Sequence, residues 1–102
     1  MRLIVFFDLP VKTSSDRKSY RLFRKYLISK GFFMIQYSIY TKILFNRDQA
    51  THIKNNIRNN VPSKGNVRIM LVTEKQYASM EVILGGISNQ EEVVTDSAFI
   101  LL

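Results

Sequence analysis

The chain has no cysteine and no tryptophan, and only one histidine, two prolines and four glycines among its 102 residues. Without cysteine there is no disulfide framework, no thiolate metal site and no cysteine nucleophile. His52 alone cannot build a zinc site. No apolar run approaches the ~20 residues that cross a bilayer. The N-terminus lacks the basic, apolar and small-residue succession of a signal peptide. Gly-rich phosphate loops, nucleophile elbows and HExxH helices are missing as well. These absences predict a soluble, cytoplasmic protein with no membrane partner and none of those catalytic devices.

What remains is a small apolar and basic chain. Apolar residues make up 46% of it, enough for one core and too many for a disordered segment. Lys and Arg number 15 against 8 acids, a net charge of +7. All the bases fall within residues 1–75, where the only acids are Asp8, Asp16, Asp48 and Glu74. Residues 76–102 hold no base and four acids, Glu81, Glu91, Glu92 and Asp96. A basic body predicts a polyanion partner. The acidic end predicts a separate role, in shielding the chain or docking on a basic protein.

The order of elements is readable from the pattern. RLIVFFD, residues 2–8, is a continuous β-forming run and predicts a buried strand that stops before Pro10. Thr13, Ser14 and Ser15 are N-cap candidates for a helix over about Ser15 to Lys30, with Gly31 as its stop. Residues 32–45 predict two short strands, or one long strand with a bulge near Gln36–Ser38. Asn46 precedes a second helix, about Arg47 to Asn60, with Ala50, Ile53 and Ile57 as its apolar stripe. VRIMLVT, residues 67–73, predicts another buried strand, and residues 80–84 a short fifth one.

This β-α-β-β-α-β order predicts an α+β, ferredoxin-like domain over residues 1–84, with an additional C-terminal strand. Residues 85–102 form an acidic C-terminal tail with an apolar end, AFILL. Strands that are apolar on both faces need cover on both. Helices cover one face, and a second copy of the chain is the simplest cover for the other. A homodimer through the sheet face is therefore expected.

The first helix carries the strongest chemical pattern. At 100° per residue, Arg17, Lys18, Arg21, Arg24 and Lys25 fall within one arc of ~120°. Tyr20, Leu22, Phe23, Tyr26 and Leu27 take the opposite side. Cations three and four residues apart repel by a few tenths of a kcal/mol per pair. Only phosphates or interspersed acids relieve that, and Asp16 is the only acid near. With Lys12 just upstream, these residues are the candidate nucleic-acid contacts.

Asp8 is the only acid among the first 15 residues and ends a buried strand. A carboxylate there can hold a divalent cation such as Mg2+, although one carboxylate is a poor site. Two copies of Asp8 facing each other across a two-fold axis would share one metal. The alternative is an Asp that caps the turn before Leu9-Pro10.

The run RLIVFFDLP, with Thr13, Asp16-Arg17-Lys18, Gly31, Gln36-x-Ser38 and the closing VRIMLVT in the same order and spacing, resembles CRISPR-associated protein family two (Cas two), in the version that accompanies type II systems. The resemblance covers about residues 1–84. It implies a ferredoxin-like homodimer that bridges dimers of the CRISPR-associated integrase, Cas one. That assembly captures duplex DNA and inserts it as a new spacer. The resemblance also implies metal-dependent endonuclease activity, on RNA or DNA, with Asp8 as metal ligand and catalytic residue. Phe7 stands where many relatives carry Tyr, so the hydroxyl of that position is absent here. Two functions follow: a scaffold that holds duplex DNA on basic helices, and a phosphodiesterase built on paired Asp8. Many phosphate-positioning cations and a single catalytic-type acid favour the scaffold.

Overall fold

The computed structural model describes residues 1–86. Strand β1, Arg2–Asp8, leads into helix α1, Ser14–Ser29. Strands β2, Phe33–Gln36, and β3, Ile39–Ile43, form a hairpin, followed by helix α2, Arg47–Arg58. Strand β4, Asn66–Val72, and the one-turn helix α3, Glu74–Ala78, complete the described fold. The sheet order is β2-β3-β1-β4, and every pairing is antiparallel. This is the ferredoxin-like arrangement expected from the element order.

Local chemistry sets each boundary. Thr13 caps α1 through a reciprocal box: its hydroxyl accepts from Asp16 N–H, and the Asp16 carboxylate accepts from Thr13 N–H. Gly31, at φ +91, ends the helix in the left-handed region where a Cβ is unfavourable. The Asn46 side chain accepts from Gln49 N–H at 2.7 Å and starts α2. The 32–45 segment resolves into two strands, with the Tyr37-Ser38 turn between them and a bulge between Met34 and Gln36. Ser38 takes φ +63, which the right-handed twist of a tight hairpin demands.

The two faces of the sheet differ. Leu3, Val5 and Phe7 of β1, Tyr40 of β3 and Val67, Ile69 and Leu71 of β4 meet Phe23, Leu27, Ala50 and Ile57 of the helices in one core. The other face carries Arg2, Ile4, Phe6 and Asp8, flanked in register by Ile43, Thr41 and Ile39 on β3 and by Val72, Met70, Arg68 and Asn66 on β4. No helix longer than α3 lies on that side among the described residues.

Three expectations are corrected. Strand β4 is not a buried strand: it lies at the edge of the sheet, and its residues are only half-buried or exposed. Residues 80–84 are not a strand. The preceding Thr73 and Gln76 instead form a second capping box, which nucleates α3 and turns the chain off the β4 edge. The following Met80, Val82, Ile83 and Leu84 are exposed and join no strand of the described sheet. Leu22 is also exposed, at 57%, and not part of the buried face. It lies about 120° from the axis defined by buried Phe23 and Leu27, beside Lys18. The acidic tail expected from residue 85 lies, from residue 87 onward, outside the described residues.

Candidate nucleic-acid interface and the Asp8 groove

Lys12, Arg17, Lys18, Arg21, Arg24 and Lys25 are all exposed. Arg17 is partly committed, because its guanidinium donates to the Val11 and Lys12 carbonyls at 3.3 and 3.0 Å. It straps the loop that brings the chain from β1 to α1. Among the described residues, none of Lys18, Arg21, Arg24 and Lys25 takes an acidic partner. Asp16, the nearby acid, is turned to the Thr13 cap and to Lys64 at 3.9 Å. The outer surface of α1 is thus a band of unneutralised cations on a rigid, doubly anchored helix. Buried Phe23 and Leu27 and half-buried Tyr20 and Tyr26 hold it to the sheet.

Asp8 stands elsewhere. Its side chain leaves β1 on the sheet face opposite α1, as the register with Asn66 requires. The strand end that bears it is fixed from two sides. Phe7 N–H donates to Ser38 O at 3.1 Å, which draws the β2–β3 turn against β1. Gly65, at φ +94, backs so closely on the Asp8 carbonyl that a Cβ there would lie 2.6 Å from it. The result is an open groove of about 300 Å³ in which Asp8, Asn66, Arg68 and Tyr37 meet over Phe6 and Ile39.

Sequence reasoning did not reach Arg68, Asn66 or Tyr37. The period-2 alternation of β4 held the signal for the first two, but only the register places them beside Asp8. Tyr37 is 73% exposed and stacks on Tyr20 with ring centroids 6.2 Å apart and an interplanar angle of 22°. A side-chain hydrogen bond with Tyr20, followed by electrostatic interaction with it, raises the Tyr37 hydroxyl above its ordinary pKa. Phe7 points into the core, ringed by Tyr20, Phe23 and Tyr40. His52 sits on the exposed side of α2 and meets the Asn56 amide at 3.3 Å.

At the far end of the same sheet face Arg2 is buried to 2% exposure. Its Nε donates to both Glu74 carboxylate oxygens at 3.0 and 2.9 Å, and its Cζ lies 3.8 Å above the Tyr77 ring. This clasp ties α3 to the first strand. Among the described residues no group of three or more His, Cys, Asp or Glu is placed to hold a metal ion. One chain offers Asp8 and the Asn66 amide oxygen, with the Arg68 cation opposing them, so a single copy does not fit a divalent cation by itself.

The fold and site define a small ferredoxin-like α+β protein with one largely uncovered sheet face, a basic helix on the other side and an aspartate at the end of its first strand. The sequence profile described as "CRISPR associated protein Cas2" matches residues 1–80, and the chain belongs to that family. It is 48% identical over 102 residues to "CRISPR-associated endoribonuclease Cas2" of Treponema denticola, covering the whole of both chains. It is 51% identical over 85 residues to the protein of the same description from Ligilactobacillus salivarius, covering 83% of this chain and 84% of that one. The fold resembles the crystal structure of Streptococcus pyogenes Cas2 at pH 6.5, with a TM-score of 0.64 at 20% identity over 83% of this chain and all of the other. No helix among the described residues is long and apolar enough to cross a membrane.

Proposed function

We propose that the protein is the nucleic-acid-holding subunit of a CRISPR spacer-acquisition assembly in the cytoplasm. Two copies pair through the sheet face opposite α1 and α2, and each presents its α1 cations to the phosphates of duplex DNA. Dimers of the integrase Cas one would flank the pair and carry out strand transfer. The observation that carries this reading is the exposed band of Lys18, Arg21, Arg24 and Lys25 without acidic partners. Such a band supplies affinity through counterion release and reads no sequence.

A second reading is favoured by the Asp8 groove and by the description of the relatives as endoribonucleases. Here Asp8 from each of two copies would hold one Mg2+, which would supply charge stabilisation for phosphodiester cleavage. Arg68 would position the phosphate and Asn66 would orient the neighbouring sugar or base. Asp8→Asn separates the readings, because it removes a ligand and leaves the α1 band intact. The scaffold reading predicts unchanged duplex affinity and unchanged spacer insertion with Cas one. The nuclease reading predicts loss of Mg2+-dependent cleavage of single-stranded RNA and of duplex DNA in gel assays with the full chain. Wild-type protein that cleaves neither substrate would set the second reading aside.

A further inference from the structure

A second group of cations lies on α2. At 100° per residue, Arg47, Lys54 and Arg58 fall within one arc of ~40°, about 90° round the helix from the line of Ala50, Ile53 and Ile57. Right-handed crossovers set α1 over the β2 side of the sheet and α2 over the β4 side. The arc is therefore turned out along β4, away from α1. Arg47 and Arg58 are exposed and Lys54 is half-buried. The Arg58 guanidinium donates to the Asn55 side-chain oxygen at 2.6 Å, and none of the three cations takes an acidic partner among the described residues. Asp48, the acid of α2, lies about 100° round the helix from the arc. Beside the arc, Val67, Ile69 and Leu71 of β4 are only half-buried.

The chain supplies a matching occupant. Residues 87–102 contain Glu91, Glu92 and Asp96, no base, and the apolar end Ala98-Phe99-Ile100-Leu101-Leu102. The described chain ends near where α2 begins. Arg2 pairs with Ile43 and Val72 at that end of the sheet, and its clasp with Glu74 holds α3 there. Extended, residues 87–102 reach up to about 50 Å. Glu91 and Asp96 stand about 17 Å apart in an extended chain, and Arg47 and Arg58 about 16 Å apart along the helix. We infer that residues 87–102 dock along this flank of α2 in the same chain. Glu91, Glu92 and Asp96 meet Arg47, Lys54 and Arg58, and the apolar end covers the half-buried side of β4. Several pairs side by side with apolar cover hold where one exposed pair would contribute little. The docked tail occupies the α2 cations and leaves the α1 band open to phosphates, a consequence that rests on the nucleic-acid reading above.

The cysteine-free sequence permits a direct test on the full chain. A nitroxide spin label on Ser97→Cys should broaden the amide resonances of Arg47–Arg58 several-fold more than those of α1. The broadening should appear when label and isotope share a chain and vanish when a mixture puts them on different chains. Glu91→Gln, Glu92→Gln and Asp96→Asn together should abolish it without touching the folded core. Arg47→Glu, Lys54→Glu and Arg58→Glu should abolish it as well, and Glu91→Lys, Glu92→Lys and Asp96→Lys added to them should restore it. The neutral-tail variant should also bind duplex DNA several-fold more tightly at low salt, with a slope steeper by about one unit for each cation released. No broadening of α2 in the labelled but otherwise unaltered chain overturns the docking. Broadening only between different chains assigns the tail to a second copy and overturns it too. Broadening without tighter duplex binding by the neutral-tail variant overturns the shielding of the α2 cations. A wild type that binds no duplex while the broadening stands overturns the nucleic-acid reading and leaves the docking intact.

Discussion

Two buried polar groups on β1 and its neighbour β3 show how differently single residues are handled in so small a domain. Arg2 is a buried cation, but Glu74 and the Tyr77 ring compensate it, while its buried Nη1 has no hydrogen-bond partner among the described residues. Tyr40 is buried at 1% exposure, and its hydroxyl has no partner among the described residues. An unpaired buried hydroxyl costs about 1–3 kcal/mol, so its removal should cost nothing. Tyr40→Phe is expected to leave stability unchanged or raise it by about 1 kcal/mol in urea denaturation. A loss of more than about 1 kcal/mol would show that the hydroxyl is satisfied in solution. The Arg2 clasp was not legible in the sequence. Nothing local says that an acid 72 positions away will return to the first strand. Asp8, by contrast, was legible as an isolated acid at a strand end, although its groove partners needed the register.

At the scale of elements, what the chain writes locally is what can be read from it. The Thr13 cap, the Gly31 stop, the Asn46 cap and the stripe of Ala50, Ile53 and Ile57 all sit close in sequence to the feature they govern. The fifth strand expected at residues 80–84 failed because a strand needs a neighbour as well as β-forming residues. The Thr73–Gln76 box upstream had already set the chain on another course. Leu22 was misplaced because a helical arc drawn from hydropathy alone is wider than the stripe the sheet can cover. Gly65 tests the link between an element junction and the site. It combines φ +94 with a close backbone approach, so Gly65→Ala forces either strain or a shift of the Asp8–Leu9 backbone. The expected result is about 1–3 kcal/mol lower stability in thermal or urea denaturation, with altered chemical shifts at Asp8 and Asn66. Wild-type stability and unshifted resonances would mean that the junction relaxes freely.

For the whole molecule, the sheet separates two chemistries. One side offers the α1 cations, and the other offers Asp8 and Arg68 on a face whose centre is apolar. Phe6, Ile39, Ile43 and Val72 are half-buried there, and Met70 is 48% exposed. A face of this kind needs a cover, and a self-complementary pair supplies it. Light scattering should therefore return twice the chain mass of 11.9 kDa, and Met70→Asp should return the single mass. A monomeric wild type would contradict pairing. The central claim, however, is that the α1 band holds duplex phosphates. Its most direct test is a salt titration of duplex binding by wild type and by the Arg21→Glu, Arg24→Glu, Lys25→Glu triple variant. Wild type should bind steeply and independently of sequence, with log affinity falling linearly in log salt. The variant should bind far more weakly, with a slope flatter by about one unit for each phosphate that is no longer neutralised. Equal affinity and equal slope in the two proteins would contradict it.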